Sequence, residues 1–221
     1  MFFICWSPKG GSGTSVVAAG LALRAGAAGP GALLIDLAGD QPALLAVAAD
    51  ARDGIADWAA APDDVPVDAI AALEVPVADG VQLVPRGHAA VEGAAGERLA
   101  VALAVLEAGN RPVVVDAGTS PRPAPWLPAG ATLVTVVRPC YLALRRLAAA
   151  GLPPGSPTVV VEEPGRALTV ADIGAAIGCD VAVRLPWDPA VARAVDAGLL
   201  TSRSPRSLRR LGGLLPAGAR P

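Results

Sequence analysis

Phe2-Phe3-Ile4-Cys5-Trp6-Ser7-Pro8-Lys9-Gly10-Gly11-Ser12-Gly13-Thr14-Ser15 is the stretch that decides how the chain is read. Phe2 to Trp6 is a run of apolar, β-favouring residues, the glycine cluster follows, and an Ala/Val/Leu-rich segment begins near Val16. A strand, a glycine loop and a helix in that order wrap backbone N–H groups around an anion at the helix N-terminus. Lys9 is the only lysine in the chain; every other basic residue is Arg. A lone ammonium beside three glycines is a compact charge on a short reach, the use of Lys that suits phosphate.

Two ligand classes compete for such a loop. The dinucleotide fingerprint G-x-G-x-x-G takes Gly11 and Gly13, with Asp36 at the end of the next strand as the ribose carboxylate, but Val16 stands in place of its third glycine. The P-loop pattern G-x-x-x-x-G-K-[ST] takes Gly13 and Ser15, but has Pro8 for its first glycine and Thr14 for its lysine. A second apolar strand ending in a carboxylate, Pro112-Val113-Val114-Val115-Asp116, favours the P-loop reading, because that is where such proteins place the Asp that holds Mg²⁺.

Outward from the loop, short β-rich runs alternate with Ala/Leu-rich stretches. Strands are predicted at Phe2 to Trp6, Ala32 to Asp36, Val81 to Pro85, Pro112 to Asp116, Thr132 to Arg138, Thr158 to Glu162 and Asp180 to Leu185. Helices are predicted at Ser15 to Ala27, Gly96 to Ala108, Leu142 to Ala150, Thr169 to Ile177, Pro189 to Ala197 and Ser204 to Leu215. This is the pattern of an α/β fold, a doubly wound and mostly parallel sheet with helices on both faces, and 1–221 is expected to form one domain. The acidic segment Pro62 to Pro76 is expected at the surface.

Composition narrows the functional classes. Eighteen Lys+Arg against twenty Asp+Glu leave a net charge of -2, so no bulk positive field is available for coating nucleic acid, and 3% aromatic content argues against single-strand stacking. One histidine, His88, and the scattered Cys5, Cys140 and Cys179 make no metal-ligand spacing. The odd cysteine count and the start Met1-Phe2-Phe3-Ile4-Cys5-Trp6, without a basic leader region, suit a cytoplasmic protein. No apolar run approaches the length of a membrane span.

Lys9-Gly10-Gly11-Ser12-Gly13-Thr14-Ser15 resembles the deviant Walker A box K-G-G-x-G-K-[ST] of the ParA/MinD ATPases, with the early lysine present and the later one replaced by Thr14. The resemblance continues in order along the chain. Leu33-Leu34-Ile35-Asp36 resembles the strand ending in the family's water-orienting Asp, and Gly54 to Trp58 its "GLxDxL" helix start. Val81 to Gly87 resembles the "LxxLPxG" strand, Val134 to Leu144 the "vvxPxxxal" segment, and Leu185 to Pro189 with Ala194 to Gly198 the late "IPxDxxvxxAxxxG" motif. Loss of the second lysine makes the chain most similar to the atypical CpaE/TadZ branch, which positions Tad-type pilus secretion machinery. The chain departs from that branch in starting its loop strand at residue 2, with no receiver-like domain ahead of it, and in carrying Ala38 where many relatives have a second Asp.

The resemblance implies ATP and Mg²⁺ as cofactors. It implies that Lys9, Gly10, Gly11, Ser12, Gly13, Thr14, Ser15 and Asp116 bind the nucleotide, and that Ser15 and Asp116 serve the metal. Asp36 would orient the attacking water, with Asp40 a lesser candidate, and Lys9 would reach the phosphates of a second protomer in a nucleotide-sandwich homodimer. Without the second lysine, ATP binding with weak or absent hydrolysis is expected, in a positioning factor whose partner is a protein of a pilus or secretion system. The alternatives are an active partition-type ATPase on DNA or membrane, and a nucleotide-free scaffold.

Several residues have plainer readings. Asp40, Asp57 and Asp196 read as solvated or capping carboxylates, and His88 as an exposed loop residue. Trp6, Trp58, Trp126 and Trp187 read as core or dimer-surface side chains, with Trp187 near the adenine by family analogy. Arg203, Arg206, Arg209 and Arg210 alternate with Leu208, Leu211, Leu214 and Leu215. That helix could rest on anionic lipid, but packing of its leucines on the sheet is the commoner arrangement and is expected here.

Overall fold

A computed structural model describes residues 1–47, 53–120, 128, 130–153, 155–178 and 181–216. The strands are β1 (Phe2–Ser7), β2 (Ala32–Asp36), β3 (Val75–Ala78), β4 (Val81–Val84), β5 (Val113–Thr119), β6 (Thr132–Val137), β7 (Thr158–Glu162) and β8 (Val183–Pro186). The helices are α1 (Thr14–Ala28), α2 (Gln41–Leu44), α3 (Ile55–Ala60), α4 (Ala94–Ala108), α5 (Tyr141–Ala150), α6 (Val170–Ile177) and α7 (Pro189–Asp196), with 3₁₀ segments at Val67–Leu73 and Arg206–Leu214.

The strands form one sheet in the order β3-β4-β2-β5-β1-β6-β7-β8. Neighbours are parallel except the β3–β4 hairpin at one edge. The central strands are buried on both faces, which explains their unbroken apolar runs. Phe3, Cys5, Leu34 and Val114 face α1, α7 and the Arg206–Leu214 segment, while Phe2, Ile4, Leu33, Ile35, Val113 and Val115 face α3 and α4. A third cluster packs Trp6, Val137 and Val160 against Leu144 and Leu147 of α5 and Ile173 of α6.

The predicted elements are present; α3 is an addition to the predicted helix ranges, where the sequence offered only the resemblance of Gly54 to Trp58 to a helix start, and there are further differences. β3 was not foreseen; it pairs antiparallel with β4 across Asp79-Gly80, a hairpin turn signal, and tolerates Pro76 because it is an edge strand with an irregularity at that point. The segment Pro62 to Pro76 is therefore not all surface: the 3₁₀ turn within it buries Ile70. α2 is only four residues long and carries no periodic signal. Arg206–Leu214 is 3₁₀ rather than α, consistent with leucines three residues apart and with Gly212-Gly213. Leu208, Leu211 and Leu215 are buried against the core, as packing requires, and Gly20 of α1 admits Leu211 so closely that a Cβ there would lie 2.7 Å from Leu211 Cδ1. β8 begins at Val183; Cys179, Asp180 and Trp126 lie outside the described residues. No helix among the described residues is long and apolar enough to cross a membrane.

Candidate functional site: a glycine loop between two clefts

The glycine loop joins the carboxyl end of β1 to α1. Gly11 (φ 76) and Gly13 (φ 90) sit in the left-handed region, where side chains are costly, and this turns the chain sharply enough to start a helix at Thr14. The loop is tied to itself: Ser7 Oγ donates to Lys9 O (2.8 Å) and accepts from Lys9 N (3.2 Å), while Ser12 Oγ donates to Lys9 O (2.7 Å). Arg146 of α5 braces it from outside, donating to Pro8 O at 3.2 Å. No side chain caps α1, whereas Thr169 and Asp188 cap α6 and α7. An uncapped N-terminus leaves the amides of the first turn for an anion.

Strand order separates the two readings of the loop. β5 stands between β1 and β2, whereas a dinucleotide fold sets β2 directly beside β1. Asp36 is consequently one strand too far from the loop to serve as its ribose carboxylate. Its register partner is Asp116, so two carboxylates lie side by side at the ends of adjacent parallel strands. Both residues are fully buried. Asp36 accepts from Ala38 N (2.9 Å), Gly39 N (2.7 Å) and Gln41 N (3.0 Å). Asp116 accepts from Gly118 N (3.1 Å), from Gln41 Nε2 (2.8 Å) and from the Ser15 hydroxyl. Burial outweighs these bonds in both, raising Asp36 to about 6, with Asp116's charge adding to the rise, and raising Asp116, with Asp40's charge adding.

Two clefts flank the start of α1. One, of about 500 Å³, runs over Gly11 to Val16 and is walled by Leu37, Ala38, Asp40 and Ala117 to Thr119. The other, of about 280 Å³, is mainly apolar, lined by Val16, Val17, Val161, Pro186, Trp187, Val191 and Val195. Trp187 is 43% exposed there, and the Arg138 guanidinium stacks over its ring at 4.8 Å. Phosphates suit the first cleft and a flat heterocycle the second. The donor set of Ser15 hydroxyl and Asp116 carboxylate, beside a second carboxylate and an open cleft, fits a hard cation such as Mg²⁺ that keeps most of its ligands as water and phosphate oxygens. Among the described residues no group of three or more His, Cys, Asp or Glu could hold a metal ion unaided.

Lys9 is half-buried, its Nζ donates to Gly10 O at 3.3 Å, and it forms no ion pair among the described residues. Thr14 is 6% exposed, so the position of a P-loop lysine holds a short buried side chain.

No sequence-family model matches this chain, and no curated protein sequence matches it. Solved structures do. A ParA family ATPase from Chlorobium tepidum superimposes with a TM-score of 0.74 at 20% identity, over 96% of this chain and 97% of that one. The septum site-determining protein MinD of Pyrococcus horikoshii, complexed with Mg-ADP, gives 0.73 at 15% identity over 96% and 93%. A putative plasmid partition protein of Borrelia burgdorferi bound to AMPPNP gives 0.72 at 13% identity over 96% of both chains. The fold is that of the ParA and MinD P-loop ATPases.

Within this ParA/MinD fold the structure brings Gly10 to Ser15, Asp36 and Asp116 to one edge of the sheet, with Asp40 on the wall of the same cleft, and leaves Asp57, Asp196 and His88 outside it. Asp40 is exposed at the cleft rim with no side-chain capping bond, and Asp196 is exposed beside the apolar cleft. Asp57 is a capping residue: it accepts from Gly54 N (2.8 Å), His88 N (3.0 Å) and Ala89 N (2.9 Å), binding α3 to the loop after β4. The His88 side chain is exposed. Trp6 is core, donating to Ser120 Oγ at 2.8 Å, and Trp58 is core beneath Arg98. Gln41 and Arg138 were missed by sequence reading, because neither belongs to a glycine loop or a strand-end carboxylate pattern.

Proposed function

We propose that this chain binds ATP with Mg²⁺ and works as a nucleotide-dependent homodimeric positioning factor of the ParA/MinD type. The observation that carries this reading is the uncapped start of α1 lying between an apolar cleft and a pair of buried carboxylates. Amides of Gly10 to Ser15 hold the β-phosphate and the Ser15 hydroxyl and Asp116 hold the cation and its water. Bound Mg²⁺ supplies neutralisation of phosphate charge. Asp36 orients water at the γ-phosphate, Trp187 and the valines of the apolar cleft enclose the base, and Lys9, with no acidic partner among the described residues, reaches the phosphates of a second protomer.

Thr14 cannot supply the ammonium of an ordinary P-loop. One such donor in a water-poor site is worth roughly 3 to 4 kcal/mol in the transition state, a hundred- to a thousandfold in rate. Hydrolysis is therefore slow or undetectable while binding survives. The deviant loop supports a CpaE/TadZ-like role in which residues 1–221 act as one unit in the cytoplasm and a pilus or secretion protein is the partner.

The test is calorimetric titration of Mg²⁺-ATP into wild type and Lys9→Ala, with sedimentation of the same samples. Binding accompanied by ATP-dependent dimers that weaken in the variant is expected. Absence of heat with an unchanged mass, or turnover matching that of lysine-bearing P-loop ATPases, overturns the reading.

A further inference from the structure

Gln41 opens the short helix α2 and its side chain is wholly buried. Three contacts make it the hub of the carboxylate pair: its backbone N–H donates to Asp36 Oδ2 at 3.0 Å, and its Nε2 donates to Ser15 O at 2.9 Å and to Asp116 Oδ2 at 2.8 Å. Both partners of the amide nitrogen are pure acceptors, so the two hydrogens of Nε2 are committed and the orientation of the amide is set by chemistry. The remaining atom, Oε1, is buried and has no hydrogen-bond partner.

A buried acceptor left unpaired is costly, and native proteins keep one chiefly where a ligand, ion or water completes it. Covalent geometry holds this oxygen beside the nitrogen that touches Ser15 and Asp116, the two residues whose oxygens fit a hydrated cation. Gln41 carries no charge of its own, so it can accept from such a shell without competing for the metal.

We propose that Gln41 is a positioning residue for the divalent cation: Nε2 fixes Asp116 against α1, and Oε1 accepts a hydrogen bond from a water in the cation's hydration shell. This rests on the nucleotide reading above. It assigns the otherwise featureless segment after β2 a task, since the same residue hydrogen-bonds Asp36 through its backbone. Occupancy of the cation site and the geometry of the Asp36 loop are thereby linked through one residue, by its side chain at Asp116 and by its backbone at Asp36.

The experiment titrates ADP into wild type and Gln41→Met by calorimetry, once in Mg²⁺ and once in EDTA. Loss of a partner to a metal ligand lowers metal affinity by about 10- to 100-fold. The gain in ADP affinity conferred by Mg²⁺ should fall by that factor in Gln41→Met, with affinity in EDTA unchanged. An undiminished Mg²⁺ gain, or equal losses in both buffers, overturns the proposal. No ADP binding by wild type in either buffer instead overturns the nucleotide reading on which it rests. Should Gln41→Met fail to fold, wild type with Mn²⁺-ADP decides: paramagnetic broadening of the Gln41 side-chain amide resonance relative to Mg²⁺-ADP is expected, and a sharp resonance overturns the proposal.

Discussion

Asp36 shows how burial at a strand end makes the stability of the fold depend on the protonation of a single residue. Burial, with the Asp116 charge adding to it, raises its pKa to about 6 against backbone donors that pull the other way. A carboxyl whose native pKa lies above its unfolded value binds more protons folded than unfolded, so folding stability falls as pH rises between the two values. Wild type should therefore lose stability relative to Asp36→Asn as pH rises from about 4 to 6, by on the order of 3 kcal/mol, with the difference constant above that window. Denaturant melts of both proteins across that range check it; parallel curves would show that Asp36 is not held protonated. The strand-end position of Asp36 was plain in the sequence. Its neighbour across the sheet was not, because Asp116 is eighty residues further along and only strand order makes them adjacent.

At the scale of the element, α1 and the C-terminal 3₁₀ segment depend on each other. Leu211 is fully buried, and Gly20 allows it to sit directly on the middle of α1, the helix that follows the glycine loop. Leu211→Ala should destabilise the protein by about 2 to 5 kcal/mol, the usual cost of a core Leu truncation with partial collapse, measured by chemical denaturation. A variant as stable as wild type would mean that this segment is not docked in solution and that its leucines are free for another surface. The amphipathic spacing of these leucines was legible, but spacing alone cannot distinguish a core from a lipid surface; contact with α1 does. β3 illustrates the opposite case. Its Asp79-Gly80 turn was readable, yet Pro76 speaks against a strand until the edge position is known.

For the molecule as a whole, ligand binding and folding are linked by mass action. On the proposed function, a nucleotide held by amides of α1 and by residues from β2 and β5 would engage the folded state alone, since these groups converge only in the folded sheet. Mg²⁺-ATP at a hundred times its dissociation constant should add about 2.7 kcal/mol of stability, seen as a rise in melting temperature that grows with nucleotide concentration. NAD at the same ratio of concentrations to protein should leave the melting temperature unchanged, because β5 displaces Asp36 from the loop. A shift with NAD and none with ATP would reverse the assignment of the cleft.

The sequence by itself determined the alternation of strands and helices, the glycine loop at Lys9 to Ser15 and the strand-end carboxylates Asp36 and Asp116. These are local features, written in hydrophobic periodicity, glycine placement and the residue at each strand's end. It left the loop between two motifs, each defective. The tertiary structure decided between them by inserting β5 between β1 and β2, since strand order depends on long-range pairing that no short window records. Only the fold, too, brings Gln41 to Ser15 and Asp116, for that contact joins an unpatterned turn, a helix start and a distant strand.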